Sequence, residues 1–484
     1  MKKLLGILIF ICLFFNNMAA ADYMANSVLN FNKWLNVNGY EQYLDKTSGP
    51  IDMILDRSLC SPKETRECIG ADGKIILGKD RKAIPIYPNN LNIKLNKKKS
   101  NLAYKSNPNR DTLIFYLWNY SYRPKFMGND PNALIFHEVQ PSKKPYVFKF
   151  NLIEDKFVKK QLKTKGILSY LYFQDDNVLI DEISPRERLG EFIKEDTKFI
   201  SMSMNKSVTS YILGHAICGG YIDGIDSKIN DWPIIQNSLY YNQKLINFLN
   251  MNTGDQKYIN EFTHPHGSVI ANSSYSFEDT DIQQTINQYF QDSVPSKKKY
   301  NYNGFLPQLV LNYVQYKTGD DFKKLLNEIF RNKVKIKHSI SIEKSSLVPD
   351  KYGNLHPMIK ATRYDYLRIA KAIMDDYQND TCVGKYLKTI WENRVDKEND
   401  KREREGKRVQ WRFASGYGGQ FQTHYKGISK KRPVMGMHGR GGQHIVIDFE
   451  RSRIVVTNAI YEDYNYSKIV YDPIKEGQIK KLNR

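Results

Sequence analysis

The sequence predicts an α+β domain whose antiparallel sheet is built from both ends of the domain, with an all-helical lobe inserted and a strand-rich N-terminal region ahead of it. Three observations predict this. Apolar runs of strand length, separated by turn residues, occupy residues 166–183 and return at 408–459. Between them, apolar residues recur at three- and four-residue spacing, the period of helices buried on one face. Strands that open and close a region around a helical middle fit a sheet completed by the two ends of the chain.

Taken in order, Lys2 and Lys3, the apolar run 4–15 and Ala19, Ala20 and Ala21 form the three parts of a secretory signal peptide. Residues 1–21 are therefore expected to be removed after Ala21. The run is short for a bilayer, and no later stretch approaches transmembrane length. The mature chain is expected to be periplasmic or secreted, without a membrane span.

Residues 22–160 read as a separate region with strand-like runs at 113–120, 133–139 and 146–153, and no catalytic motif. A Lys-rich joint at 156–165 leads into a second domain, 161–484. It opens with a hairpin, 166–173 and 178–183, joined by Gln174-Asp175-Asp176-Asn177. Helices are expected at 203–216, 243–250, 307–318, 321–330 and 364–376, and strands at 408–425, 434–449 and 453–459. The charged run 396–408 reads as a solvated loop, and 264–295, rich in Ser, Asn, Gln and Asp, as a segment overhanging a cleft.

With 484 residues, 41% hydrophobic and 26% charged, the chain can bury a core and is not disordered throughout. The formal charge of +21 permits an anionic partner such as a cell-envelope polymer. Nucleic acid is not expected, because no recognition motif occurs and the leader points to export. Cys12 leaves with the leader, and Cys60, Cys68, Cys218 and Cys382 allow two disulfides in three pairings. The short loop between Cys60 and Cys68 favours that pair. Neither a C-x-x-C motif nor zinc spacing occurs, and His264-Pro265-His266 reads as a loop, so no metal or cofactor is expected.

The chemistry centres on Ser203-Met204-Asn205-Lys206. A hydroxyl and an amine three residues apart on a helix share one face, so the Lys can act on the Ser proton. Ser needs such a base before it becomes a nucleophile, and a desolvated Lys can serve. Ser203 also stands at the mouth of an apolar helix, where unpaired N–H groups favour an anionic intermediate.

This stretch resembles the β-lactamase-like serine hydrolases, which include class C β-lactamases, D-alanyl-D-alanine peptidases, esterases and 6-aminohexanoate-dimer hydrolases. The last group is the nearest look-alike, through Ser203-Met-Asn-Lys-Ser-Val-Thr-Ser210, Asp231-Trp-Pro233 and the 245–254 segment ending Met251-Asn-Thr-Gly254. The resemblance spans 166–459 and implies a β-lactamase/transpeptidase-like fold. It implies that Tyr302-Asn303-Gly304 is the family's tyrosine element, with Tyr302 preferred to Tyr300, and that Tyr302 and Lys206 move the Ser203 proton. Gly304 stands where Asn or Ser is usual.

The run from Met437 to Asp448 resembles the glycine-rich active-site strand. It puts Met437 and His438 in the Lys and Thr places of K-T-G and retains Gly439. The resemblance implies an oxyanion hole of the Ser203 and Arg440 N–H groups, with His438, Gly439, Gly441 and Gly304 lining the substrate site. Gly416-Tyr-Gly-Gly-Gln420 and 362–370, with Asp365 and Arg368, read as structural.

The expectation is an exported serine hydrolase that cleaves an amide or ester bond through an acyl-enzyme on Ser203. The alternatives are a D-alanyl-D-alanine carboxypeptidase or β-lactamase, with β-lactam hydrolysis less favoured because the Lys of K-T-G is missing, and a non-catalytic peptidoglycan-binding protein of the same fold, which the departures at Met437 and Gly304 motivate.

Overall fold

The chain divides into two compact units, Met1–Ile135 and Phe136–Arg484. The computed structural model describes four two-residue strands ahead of residue 134 and then residues 134–188, 190, 193–258, 282–345, 353–397, 413–439, 441–460 and 462–477. Residues 1–21, the 113–120 run, Cys60, His264, His266 and Arg440 lie outside the described residues. In the first unit, β1 (Met53–Ile54), β2 (Cys68–Ile69), β3 (Ile75–Ile76) and β4 (Tyr87–Pro88) form two antiparallel pairs, β1 with β4 and β2 with β3.

Composition suggests a junction at 160/161, whereas the compact units divide at 135/136. After β5 (Leu134–Val139) and β6 (Lys149–Phe150), the Lys-rich stretch forms α1 (Lys156–Thr164). The Asp155 carboxylate caps it by accepting from the Phe157 and Val158 N–H groups at 2.9 and 3.0 Å. Its lysines mask an amphipathic helix whose Val158 and Leu162 are buried in the core.

The expected hairpin forms as β7 (Ile167–Gln174) and β8 (Asn177–Ile183), turning through Asp175 and Asp176 at φ 47° and 62°, the left-handed pair that a two-residue hairpin demands. Then come β9 (Lys198–Ile200), α2 (Met204–Cys218), β10 (Lys228–Ile229), β11 (Gln243–Lys244), α3 (Leu245–Leu249), α4 (Ile282–Tyr289), α5 (Phe305–Thr318) and α6 (Phe322–Leu326). The second half holds β12 (Ile340–Ser345), β13 (Leu355–Thr362), α7 (Arg363–Gln378), α8 (Cys382–Glu392) and β14 (Val395–Asp396). It ends with β15 (Ala414–Gly418), β16 (Phe421–Tyr425), β17 (Val434–Gly439), β18 (Gln443–Asp448), β19 (Arg453–Ala459) and α9 (Asp472–Glu476).

Nine strands make the main sheet in the order β14-β15-β16-β17-β18-β19-β7-β8-β6. The late strand β19 pairs antiparallel with the early strand β7, Ile454 opposite Phe173 and Thr457 opposite Tyr170, so the two ends of the domain do close one sheet. One face carries α1 and the C-terminal Ile469, Val470 and Ile474, packed on Tyr170, Tyr172, Val446 and Val455. Helix α7 packs on β18 and β19, and α2 on β17. Covered on both faces, β18 and β19 are buried along their whole length. The inserted segment is helical for the most part, but β12 and β13 leave it to build a second sheet, β5-β12-β13-β9.

Cys218 and Cys382 form a disulfide that ties the end of α2 to the start of α8 across 164 residues of sequence. A cross-link over so long a loop restricts the unfolded chain strongly. Replacing both cysteines by serine is expected to lower unfolding stability by about 2–5 kcal/mol, read by denaturant titration of the oxidised protein.

Candidate active site

The site is built where β9 hands the chain to α2. Ser201 N–H donates to Ile359 O at 2.8 Å and Ile359 N–H donates back to Ser201 Oγ at 3.0 Å, which pins the end of β9 to β13. Met202 then takes a φ of +47°, a costly conformation for a non-glycine residue that persists where its surroundings enforce it. The N–H groups of Met204, Asn205 and Lys206 donate to the carbonyls of Ser201, Met202 and Ser203 at 3.1, 3.1 and 3.3 Å. The Ser203 side chain makes no capping bond, and the residue is half-buried.

Lys206 Nζ donates to Ser203 Oγ at 3.1 Å and stands 4.9 Å from the centre of the Tyr302 ring. Lys206 is 6% exposed and Tyr302 9% exposed, so a half-buried serine stands before a sheltered amine and phenol. Tyr302 comes from the turn ahead of α5. There Gly304 occupies the N-cap position, and Asn303 Oδ1 accepts from the Phe305 and Leu306 N–H groups at 3.0 Å each, supplying the cap that glycine lacks. Tyr300 and Tyr302 both pack on Tyr417, at ring separations of 5.2 and 6.0 Å, and it is Tyr302 whose ring faces Lys206.

Strand β17 reaches the same turn. It pairs with β18 along its full length but registers with β16 at one pair only, Gln422 opposite Gly436. A Cβ on Gly439 would lie 2.6 Å from Ser201 O and 3.1 Å from Met202 Cβ, so only glycine lets this strand end approach the residues before Ser203. Gly441, at φ +83°, serves the β17–β18 turn, where an added Cβ would meet Ile460 O at 2.8 Å.

The His438 side chain points elsewhere. Alternation puts Gly436 and His438 on the face opposite Met437 and Gly439. His438 Nε2 pairs with the Tyr425 hydroxyl at 2.8 Å and the Tyr466 hydroxyl at 3.2 Å, and its ring packs on His444. Burial first, then His444 and Lys397, push its pKa well below the usual histidine range, so the ring is neutral. Met437 is fully buried. The structure thus brings Ser203, Lys206, Tyr302 and Gly439 together, with Gly304 beside Tyr302, and turns the His438 ring away.

Two neighbours escaped sequence reasoning. Tyr417, in the segment read as sheet structure, packs on Tyr302, and its pKa is driven well above 10 by burial and then by Tyr302. The hairpin tip after it docks on α2 and α3, with Ser207 Oγ donating to Gln420 O at 2.6 Å and Gln420 N–H to Leu249 O at 2.9 Å. Asp255, one residue past the 245–254 landmark, bonds the asparagines on both sides of Tyr302. Asp365 and Arg368 form a buried pair at 2.9 Å inside α7, a structural role. Residues 282–289 of the expected overhanging segment form α4. Among the described residues, no group of three metal-binding side chains is assembled and no helix is long and apolar enough to cross a membrane.

A hydroxyl at the head of a buried helix, an amine one turn on, a phenol from the helical lobe and a glycine strand edge thus meet at one junction. The surrounding fold is that of the β-lactamase-like α+β proteins. It is similar to a Bacillus anthracis protein named as a 6-aminohexanoate-dimer hydrolase, with TM-score 0.54 and 13% identity over 74% of this chain and 92% of that one. A penicillin-binding protein from Bacillus halodurans is similar at TM-score 0.44 and 14% identity, over 65% of this chain and 97% of that one. A class C β-lactamase from Rhodobacter sphaeroides is similar at TM-score 0.42 and 12% identity, over 66% of this chain and 95% of that one. Neither a protein-family model nor a curated protein matches the chain.

Gly439→Ala tests the strand-edge contact. The added methyl meets backbone at 2.6 Å, so the turn before Ser203 has to shift. The expected cost is about 1–3 kcal/mol in unfolding stability, as for overpacking elsewhere in cores. Wild-type stability in this variant contradicts the contact.

Proposed function

We propose that the Phe136–Arg484 unit is a serine hydrolase that cleaves an amide or ester bond through an acyl-enzyme on Ser203, in a chain exported by its first 21 residues. The observation that carries this is the 3.1 Å bond from Lys206 Nζ to Ser203 Oγ, with Tyr302 against the same amine. In this mechanism Ser203 Oγ attacks the carbonyl carbon while its proton passes to the Lys206–Tyr302 pair. The oxyanion is held by the Ser203 N–H and by the N–H that follows Gly439. The pair then protonates the leaving amine or alcohol, and a water, deprotonated by the same groups, releases the acid and restores the Ser203 hydroxyl.

The substrate class follows from what the site lacks. Met437 occupies the place of the lysine that would hold a β-lactam carboxylate, and it is buried. Gly304 brings no side-chain hydrogen bond to a substrate. Neutral amides and esters fit such a site better than β-lactams. The positive charge, +21 for the whole chain and two less once Lys2 and Lys3 leave with the leader, suits a substrate carried on an anionic envelope polymer.

Fluorophosphonate labelling of the purified mature protein, with p-nitrophenyl ester turnover, tests the proposal. Wild type is expected to label once and turn over. Ser203→Ala is expected to lose labelling, and Lys206→Ala and Tyr302→Phe to lose about 10²- to 10⁴-fold in kcat/KM. Equal labelling of Ser203→Ala contradicts the proposal. Binding of peptidoglycan by a wild type that neither labels nor turns over favours the non-catalytic binder. Intact mass of the exported protein is expected to start at Asp22, and a retained leader contradicts export by cleavage.

A further inference from the structure

Asp255 is fully buried within the helical lobe. Its Oδ1 accepts from Asn301 Nδ2 at 2.7 Å and its Oδ2 from Asn303 Nδ2 at 3.1 Å, while the Tyr240 hydroxyl donates to Oδ2 from 3.4 Å. The two carboxamides belong to the residues immediately before and after Tyr302. The backbone is joined at the same place, with Asn301 N–H donating to Met251 O at 2.7 Å and Ser296 N–H to Gly254 O at 2.9 Å. Asn303 spends its other end on α5, so one side chain links Asp255 to the helix start.

These partners are all neutral. A buried carboxylate held only by neutral donors is an expensive choice for a structural tie, since an apolar side chain fills the same space without desolvating a charge. What the carboxylate offers here is two acceptor oxygens that fix both flanks of one tyrosine. Burial outweighs these hydrogen bonds and lifts its carboxyl to about 6.

We propose that Asp255 is a positioning residue: through Asn301 and Asn303 it holds Tyr302 in register with Lys206 and Ser203. The inference rests on the serine-hydrolase proposal and assigns a part of that machinery to a residue outside its motifs. Its ionised form accepts from both asparagines. Protonation puts an O–H where one N–H donor points, and the clamp loosens.

Asp255→Asn keeps size and shape but sets one amide N–H against another. Adding Asn303→Asp reverses the pair, so that residue 255 donates and residue 303 accepts while still capping α5, at the cost of the second bond from Asn303 Nδ2, to Asn301 O at 3.1 Å. Ester turnover of the mature protein is measured across pH 4.5–8.5, with melting temperature alongside. Asp255→Asn is expected to lose about 10- to 100-fold in kcat with KM unchanged, the cost of a misplaced proton-transfer group. The acid limb of the wild-type profile near pH 6 is expected to vanish in that variant, and the exchange pair to recover part of the lost kcat.

Wild-type kcat with an unchanged acid limb in Asp255→Asn overturns the inference and leaves the hydrolase standing. So does a loss that the exchange pair fails to recover, or one accounted for by unfolding alone. A wild type that neither labels nor turns over overturns both.

Discussion

The arrangement of this site depends on one constraint, the burial of α2 on nearly every side. A surface helix would leave Ser203 and Lys206 to solvent and to many rotamers. Here α2 is enclosed by α5, α8, β13 and β17. Its polar side chains are fixed one by one: Ser207 on Gln420 O, Ser210 on the Tyr386 hydroxyl at 2.7 Å, and Tyr211 on Asp376 at 2.6 Å. The disulfide at Cys218 fixes the far end. A helix held this way presents its first turn with little conformational freedom left to lose.

The strained Met202 follows from the same enclosure. The chain leaves β9 extended, bonded to β13, and must begin a helix whose axis is set by its own packing. A single left-handed residue makes that change of direction. The end of β17 can approach the turn because Gly439 has no side chain, and its register with β16 is confined to Gly436 opposite Gln422. Ser203, Lys206 and the β17 edge thereby become parts of one packed junction.

Much of this was legible in the sequence where local pattern and final packing agree. The β7–β8 hairpin, α2 and the closing strands announce themselves by period and turn residues. What stayed hidden depended on partners far along the chain. Helix α1 was masked by its lysines, and β12 and β13 make sense only once β9 lies beside them. The role of His438 turned on a single step of strand register, which decides between the face of Gly439 and the face of Tyr425. Asp255 and Tyr417 are single residues with no spacing of their own, and only the fold brings them to Tyr302. The fold by itself does not choose a substrate, since one architecture hosts several chemistries. The choice rests on the particular side chains around Ser203.

The most direct measurement is a crystal structure of the mature protein after reaction with a small alkyl phosphonate ester. The expected adduct has phosphorus bonded to Ser203 Oγ, one phosphonyl oxygen between the Ser203 N–H and the N–H following Gly439, and the Tyr302 hydroxyl beside the departed group. Phosphorus on another residue, or a Ser203 adduct whose oxygen points away from β17, contradicts it.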